Sequence, residues 1–242
     1  RRARQRVQII FQDPYSSLNP RLRAADIVRE PLIYAGATSR TEQDRIIDEL
    51  FEAVGLRPEQ KALFPHQFSG GQRQRIGIAR ALSTRPSLII CDEPVSALDV
   101  AVQAQILNLL KSLQAQFGLT YLFISHDLGV VQHMCDDIAV MYMGQFMEYA
   151  NRESFFAAPR HPYSEALLDA VPTIEVGARL AGGKLVDGAI PDLTKPQTGC
   201  RFASRCPHVA TGCEDRVPLL DVWPGTTDHQ LACYRAAEFA AS

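Results

Sequence analysis

The sequence predicts an α/β fold whose sheet is mostly parallel. Three short apolar runs, at Val7–Phe11, Leu88–Cys91 and Thr120–Ile124, have the length and the β-branched or aromatic content of buried strands. Segments with helical periodicity separate these runs along the chain. A helix between two strands acts as a crossover connection, and crossovers join strands that point in the same direction. We therefore expect a parallel sheet with helices packed against it.

The spacing of apolar residues predicts five helices in the first part of the chain. They cover Arg23–Tyr34, Thr41–Val54, Ser69–Leu82, Val102–Leu113 and Leu128–Met134. Thr41 and Asp44 resemble a capping box, Asp127 is a candidate N-cap, and Gly55 and Gly118 are expected to end helices. These local signals predict where several of the helices begin and end.

The later part of the chain changes character. Ile138–Met143 and Gln145–Tyr149 are predicted to be two strands turning at Gly144, and Ser164–Ala170 a short helix. From Gly177 onward Gly, Pro, Thr and Asp dominate, so we expect an irregular extension there.

Length and composition restrict the class of protein. The 242 residues allow one large domain or a domain with an appendage, and 46% apolar with 21% charged residues is ordinary for a globular chain. A net charge of −2 gives no push toward nucleic acid. No apolar run is long enough to span a bilayer, so we expect any membrane role to come through a partner. The chain begins at Arg1 inside an apparent strand, and we interpret it as a fragment lacking its N-terminal part.

Three short motifs that suit the binding or hydrolysis of a phosphate group lie between Phe68 and Asp99. Ser69, Gly70, Gly71 and Gln72 open a helix, where close backbone approach and unpaired N–H groups favour an anion. The apolar run that follows ends in Asp92 and Glu93, which supplies one carboxylate for Mg²⁺ and one for a water. A turn, Ser96–Asp99, comes next.

Two further polar residues stand at strand ends. Gln12 follows the first strand and can reach a bound metal or an attacking water without adding charge. His126 follows the strand Thr120–Ile124 and can hydrogen-bond a γ-phosphate and that water. Arg73, Arg75 and Arg80 fall on polar positions of the helix after Ser69, and for Arg80 we expect a solvated, salt-bridged surface position.

Together these motifs resemble the ATP-binding subunit of an ABC transporter. Phe68–Gln72 looks like the ABC signature, Leu88–Glu93 like Walker B with its following glutamate, Ser96–Asp99 like the D-loop, and Gln12 and His126 like the Q-loop and H-loop residues. Arg160-His161-Pro162-Tyr163 resembles a segment that follows the ATPase core in oligopeptide, dipeptide and nickel importers. The chain looks most like the second of the two ATPases of dipeptide and oligopeptide systems.

The resemblance implies a P-loop NTPase-like ABC ATPase core at residues 1–158, with a helical subdomain at about 21–83, and an irregular Cys-containing C-terminal extension at 159–242. It implies that Glu93, His126 and Gln12 are catalytic and that Asp92 and Gln12 hold Mg²⁺. It also implies that Ser69, Gly70, Gly71, Gln72, Asp92 and Asp99 bind ATP. The G-x-x-x-x-G-K-[ST] loop is absent, which we interpret as truncation, so the fragment alone is expected to be inactive.

The implied partners are a second ATPase subunit in a head-to-tail homo- or heterodimer and two membrane permeases, with an extracytoplasmic solute-binding protein acting indirectly and no nucleic acid. The implied location is the cytoplasmic face of the bacterial inner membrane, held there by the permeases. The implied function is ATP-driven peptide import. Alternatives are a nickel importer ATPase, a soluble ABC ATPase outside transport, and a metal-binding or redox module centred on the cysteines.

Six cysteines fall into two groups. Cys91 and Cys135 are predicted to be small buried residues. The other four have the spacing C-x5-C-x6-C-x19-C and are Cys200, Cys206, Cys213 and Cys233. In a cytosolic protein such a set is more typical of a metal site than of disulfide bonds. The metal site would hold zinc or a [4Fe–4S] cluster, and Cys206-Pro207 favours the cluster. Four reduced thiols in a loose tail remain the plain alternative, and His208 is a further candidate ligand.

Overall fold

The structure is a computed structural model that describes residues 5–36, 39–170, 198–223, 225–236 and 238. The first four residues and the part of the predicted irregular extension from Gly177 to residue 197 lie outside the described residues. Internal contacts divide the chain into two compact units, Arg1–Val130 and Val131–Ser242. The sequence-based domains, 1–158 and 159–242, use a later boundary and stay a prediction.

The first unit is built on a parallel sheet with helices before and after its strands. Its strands are β1 (Val7–Ile10), β2 (Leu88–Asp92) and β3 (Thr120–Ile124), and its helices are α1 (Ala24–Ala35), α2 (Arg40–Ala53), α3 (Gly70–Leu82) and α4 (Val100–Phe117). The order is β1-β2-β3 and both pairings are parallel, which confirms the predicted direction of these strands. Helix α5 (Leu128–Met134) contains the division between the units.

Burial within the sheet differs from the prediction at β1 and β3. Ile10, Ile89 and Cys91 are at most 1% exposed, as expected of buried strands, but Val7 and Phe11 are 39% and 43% exposed, so the prediction was wrong at both ends of the first run. Leu122 and Ile124 of β3 are 52% and 46% exposed, so the prediction of a buried strand was wrong for this face. The physical reason is that successive side chains of a strand point to opposite faces, and the described residues leave uncovered the face that carries Leu122 and Ile124.

Helix boundaries follow the predictions closely, with one wrong cap. The side chain of Ser39, not Thr41, caps α2 by accepting the backbone N–H of Glu42. Gly55 and Gly118 end their helices with φ of +69° and +64°, as predicted. The buried guanidinium of Arg29 pairs with Asp26 in its own helix and joins α1 to α2 through Asp44, at 2.5 Å each.

The second unit is antiparallel. Its strands are β4 (Asp137–Tyr142), β5 (Gln145–Asn151), β6 (Asp221–Val222) and β7 (Gln230–Leu231), and its further helices are α6 (Arg152–Ala157) and α7 (Pro162–Asp169). The sheet order is β4-β5-β7-β6, so among the strands that the structure describes the parallel arrangement is confined to the first sheet. β6 and β7 correct the expectation of a wholly irregular extension, since two short strands there complete the sheet begun by the β4–β5 hairpin.

Arg85 gives a first stability prediction. It lies in the turn between α3 and β2 with φ of +49°, a conformation that costs a side chain such as arginine free energy and suits asparagine better. Its ion pair with Glu49 is on the surface and worth little. Arg85→Asn is therefore expected to raise the free energy of unfolding by about 0.5 kcal/mol, measured by denaturant titration. Glu49→Gln removes the same ion pair and should leave the free energy of unfolding unchanged. A lower free energy of unfolding in Arg85→Asn would show that the backbone of Arg85 is not strained.

Candidate functional site

The carboxyl ends of the three parallel strands meet at one edge of the first sheet. Ile10 is in register with Cys91, and Asp92 is in register with Ile124. The segments that follow β1, β2 and β3 therefore leave the sheet side by side, and ligands of open parallel sheets bind at this edge. Gln12, Glu93 and His126 stand on those three segments.

Glu93 is the centre of this group. Gln12 donates from Nε2 to Oε2 of Glu93 at 2.7 Å, and Nδ1 of His126 lies 3.0 Å from Oε1. The His126 side chain is 73% exposed and that of Glu93 24%, so the group is open to a ligand. A carboxylate has about four lone-pair positions, and two contacts leave room for a water.

The backbone of Glu93 is held in an unusual conformation. Its φ is +45°, in the left-handed region that non-glycine residues seldom adopt. Its N–H donates to the carbonyl of Ile124 at 3.0 Å, and its carbonyl accepts from the hydroxyl and the N–H of Ser96. Such strain persists only where surrounding contacts impose it, and it is concentrated at functional sites. Here it aims the side chain between Gln12 and His126.

Asp92 and Asp99 have different positions. Asp92 is the last residue of β2, is half-buried, and immediately precedes Glu93. Asp99 is the N-cap of α4, and its carboxylate accepts the backbone N–H of Val102 at 3.0 Å. The structure thus gives Asp99 a helix-capping contact that the sequence interpretation had not included.

The segment Ser69–Gln72 forms a complete capping box at the start of α3. The hydroxyl of Ser69 accepts the N–H of Gln72 at 3.3 Å, and the side chain of Gln72 accepts the N–H of Ser69 at 3.1 Å. Both side chains are thereby turned to their own backbone. A Cβ at Gly71 would come within 2.5 Å of Cγ1 of Val102, so this glycine also permits close packing of α3 on α4.

The second unit brings four of the cysteines together. Cys200, Cys206, Cys213 and Cys233 line a single pocket, with His161 and His208 also in its wall. The N–H of Cys200 donates to the carbonyl of Cys213 at 2.7 Å. All six cysteines are thiols, and Cys91 is fully buried as predicted, while Cys135 is half-buried against an apolar cluster.

Three of the four thiols have a raised pKa. Burial raises the pKa of Cys200, Cys206 and Cys233, and neighbouring cysteines of the same pocket raise it further. In the described part of the chain, no three His, Cys, Asp or Glu side chains are arranged so that they could hold a metal ion. The pocket therefore supplies the donor chemistry of a thiolate site without its coordination geometry.

Two family models match the chain. The ABC transporter model matches residues 1–96, and the model for the C-terminal region of oligopeptide/dipeptide transporters matches residues 147–213. A Brucella abortus protein, named for ATP binding in peptide import, is 48% identical over 231 residues, which are 96% of this chain and 67% of that protein. A Brucella ovis protein named in the same way is 48% identical over 97% of this chain and 73% of its own length.

The chain belongs to the ABC transporter family, among its ATP-binding proteins. It is an ATPase whose ATP hydrolysis is coupled to transport, and the family uses ATP together with Mg²⁺. It spans about two thirds of the length of these relatives. A Sinorhizobium fredii relative, whose name describes a peptide ABC transporter ATP-binding protein, is 47% identical over 99% of this chain and 67% of its own.

Solved structures confirm the predicted fold class of this ABC ATPase. CbiO1 of Clostridium perfringens, described as part of the ABC transporter complex CbiONQ, matches with a TM-score of 0.57 and 28% identity over 63% of this chain and 60% of that one. The ATP-binding cassette MJ0796, solved as a dimer with ADP and Pi, matches with a TM-score of 0.52 and 33% identity over 61% and 64%. Within the residues that the structure describes, no helix has the length and apolar character that crossing a membrane requires.

The arginines of α3 correct the sequence interpretation. Arg80 is not on a solvated, salt-bridged face: it donates to the carbonyl of Ser17 at 2.6 Å and lies over the ring of Phe11, and burial lowers its pKa. Arg73 donates to the carbonyl of Pro65 and lies 4.6 Å from the ring centroid of Tyr15. α3 is thereby tied to the loop that follows β1.

Gln74 is a further residue near Glu93 that the sequence pattern did not reveal. This glutamine is 1% exposed, and its Nε2 donates to the carbonyl of Pro94 at 2.7 Å, one residue after Glu93. Its position four residues before the buried Ile78, on the inward face of α3, was the available signal. A polar side chain there needs a buried partner.

Gln74→Leu is expected to lower ATP turnover by about tenfold, because it leaves the Pro94 carbonyl unpaired and loosens the turn that aims Glu93. ATP affinity should stay within about twofold of the wild-type value. Steady-state ATPase assays on the full-length protein measure both, and Gln116→Leu, on the exposed surface of α4, is the control. Unchanged turnover in Gln74→Leu would show that the turn holds without it.

Proposed function

We propose that this chain hydrolyses ATP at Glu93 to drive the import of peptides. The observation that carries the proposal is the convergence on Glu93, where Gln12 and His126 each hydrogen-bond one carboxylate oxygen. A carboxylate fixed in this way can orient and deprotonate a water for in-line attack on a γ-phosphate. Peptide as the cargo rests on the names of the relatives and on the C-terminal model match.

The proposed roles follow the placement of each residue. Asp92, adjacent to Glu93 at the end of β2, and the side-chain oxygen of Gln12 would hold Mg²⁺. Mg²⁺, when bound, neutralises charge on the phosphates. His126 contacts the γ-phosphate and the attacking water. Carboxylate and amide oxygens are the donors that Mg²⁺ prefers, so these side chains suit the ion.

The capping box refines the proposed role of the signature segment. Helix N-termini carry N–H groups that no carbonyl of the same helix can satisfy. Here the side chain of Ser69 accepts the N–H of Gln72, and the side chain of Gln72 accepts the N–H of Ser69. We assign the γ-phosphate of the opposite subunit to the N–H groups of Gly70 and Gly71, with Ser69 and Gln72 shaping the turn and Asp99 holding the start of α4.

The proposed assembly is a head-to-tail dimer of ATPase subunits, homo- or heteromeric, beneath two membrane permeases. An extracytoplasmic solute-binding protein delivers the cargo and touches the permeases only. The chain then works at the cytoplasmic face of the inner membrane as a peripheral subunit. ATP joins the two ATPases and hydrolysis releases them, which gives a two-state element that the permeases can sense.

Uptake by whole cells tests this function. A strain lacking the gene, and requiring an amino acid supplied as di- or oligopeptide, should grow with the wild-type gene and not with Glu93→Gln. Nickel uptake is measured in the same strains, because a nickel importer is the alternative. Loss of nickel uptake with normal growth on peptides would overturn the peptide assignment.

We further propose that Cys200, Cys206, Cys213 and Cys233 hold a [4Fe–4S] cluster, with zinc as the competing occupant. The support is that all four thiols line one pocket and that neighbouring thiols raise the pKa of Cys200, Cys206 and Cys233, since a bound cation relieves the cost of neighbouring thiolates. The described side chains are not arranged as in a metal-bound site, so the four thiols must move closer together when the metal binds.

Metal analysis of anaerobically purified full-length protein tests the cluster. We expect stoichiometric iron and sulfide, lost in Cys206→Ser and retained in Cys135→Ser, which makes the same change outside the pocket. Zinc in place of iron would replace the cluster by a zinc site. If the protein contains neither iron nor zinc, the four cysteines are reduced thiols that bind no metal, and the proposed site is wrong.

A further inference from the structure

Glu148 of β5 is a carboxylate with 0% exposed surface. It accepts the backbone N–H of Arg160 at 2.8 Å on Oε1 and that of His161 at 3.0 Å on Oε2. Nε2 of His229 lies 2.6 Å from Oε1. A buried charge is tolerated only when hydrogen bonds replace its hydration, and here both oxygens are used. One side chain thus joins three segments that are distant in sequence.

Each segment reaches the four-cysteine pocket or its cysteines: His161 lines it, Met147 beside Glu148 belongs to an apolar cluster that Cys200 and Cys206 pack against, and Cys233 follows His229 by four residues. His161 is 2% exposed and forms part of the pocket wall, where its ring lies 5.9 Å from that of Phe202, between Cys200 and Cys206 in the chain. The imidazole also hydrogen-bonds the backbone of Ala232, the residue before Cys233, and burial lowers its pKa to about 4.

The contacts on Ala232 show how the network reaches Cys233. The N–H of Ala232 donates to the carbonyl of Met147, the neighbour of Glu148 in β5, at 2.9 Å. The carbonyl of His229 accepts the N–H of Trp223 at 2.7 Å, which holds the strands β6 and β7 together. The segment bearing Cys233 is therefore fixed on one side by β5 and on the other by His161.

We propose that Glu148 is the positioning residue of the four-cysteine pocket, holding its wall through His161 and His229. This inference builds on the thiol site in the proposed function, but it concerns the placement of the thiols and holds with or without a metal. Glutamine cannot replace Glu148: an amide has one acceptor oxygen, and its NH₂ group would face a backbone N–H. One of the two backbone contacts must then break, and the wall should open.

The test is the rate at which each thiol reacts with a maleimide in the native full-length protein, resolved residue by residue by mass spectrometry. In Glu148→Gln we expect Cys200, Cys206, Cys213 and Cys233 to react at least tenfold faster than in the wild type. Cys91, in the first unit, should be unchanged. Phe155→Leu is the matched control, because Phe155 is buried in a different apolar cluster of the same unit.

A second pair of variants covers the case in which Glu148→Gln does not fold. His229→Leu removes the donor, and His229→Gln keeps one, so the pocket thiols should react faster in His229→Leu and near the wild-type rate in His229→Gln. Equal rates in these two variants, or equal rates in Glu148→Gln and Phe155→Leu, would overturn the inference. The metal content of the wild type is measured separately. That measurement tests the proposed cluster, and its outcome does not alter the comparison of thiol reaction rates.

Discussion

Glu93→Gln in the full-length protein is expected to lower ATP turnover by at least about 100-fold while ATP binding stays near the wild-type value. The amide keeps the shape of the side chain and can still contact Gln12 or His126, but it cannot take a proton from water. The loss should therefore fall on kcat and not on affinity. Steady-state hydrolysis and equilibrium ATP binding are measured on the same preparation.

The bound state gives a second readout of this variant. If hydrolysis releases the dimer, Glu93→Gln should accumulate as an ATP-bound dimer in size-exclusion chromatography, whereas the wild type should return to monomers. Glu49→Gln makes the same chemical change on the surface of α2 and should behave as the wild type. A near-normal turnover in Glu93→Gln would remove Glu93 from its proposed role as base.

Glu93→Gly separates the chemistry of this residue from the conformation of its backbone. Glycine adopts a φ of +45° without the cost that a side chain carries. The free energy of unfolding should rise by about 1 kcal/mol while turnover is lost, because strain at a functional position is removed together with the carboxylate. A loss of stability would show that the contacts of the Glu93 side chain outweigh the strain.

The sequence predicted the convergence at Glu93 because parallel strands impose it. Each of the polar residues Gln12, Glu93 and His126 directly follows a strand or lies two residues beyond one, and the carboxyl ends of parallel strands share one edge. The order of the strands and the side-chain contacts were not needed for that step. They were needed to show that both oxygens of Glu93 are used.

Other features depend on long-range packing that no local pattern contains. Arg80 occupies a polar position of its helix by periodicity, yet the carbonyl it bonds belongs to Ser17, 63 residues away. The spacing of Thr41 and Asp44 fits a capping box, but Ser39 provides an earlier hydroxyl and the helix begins there. β6 and β7 are two residues each, too short for alternation to be visible, and they exist because β5 offers a free edge.

Gly199 offers the sharpest structural test of the four-cysteine pocket. A Cβ at this position would overlap the backbone of Cys213 and Glu214, which cannot move aside as a side chain can. The close approach allows Cys200 to donate its N–H to the carbonyl of Cys213. Two of the four thiols are thus held near each other by the absence of a side chain on the preceding residue.

Gly199→Ala is expected to push these two segments apart, at a cost of about 3 kcal/mol for the overlap and the lost hydrogen bond. All four cysteines remain in the chain, so any loss of metal, or any gain in thiol reactivity, must come from their placement. Hydrogen exchange of residues 198–223 measures the loosening, and metal analysis measures the consequence for the site.

Gly77→Ala is the control, because the same change meets open space inside α3 and should stabilise that helix by about 0.5 to 1 kcal/mol. The two substitutions add the same methyl group and are expected to act with opposite signs. Wild-type exchange and metal content in Gly199→Ala would show that the backbones of Cys200 and Cys213 need not approach closely, and the pocket would then have to form by another arrangement of its four thiols.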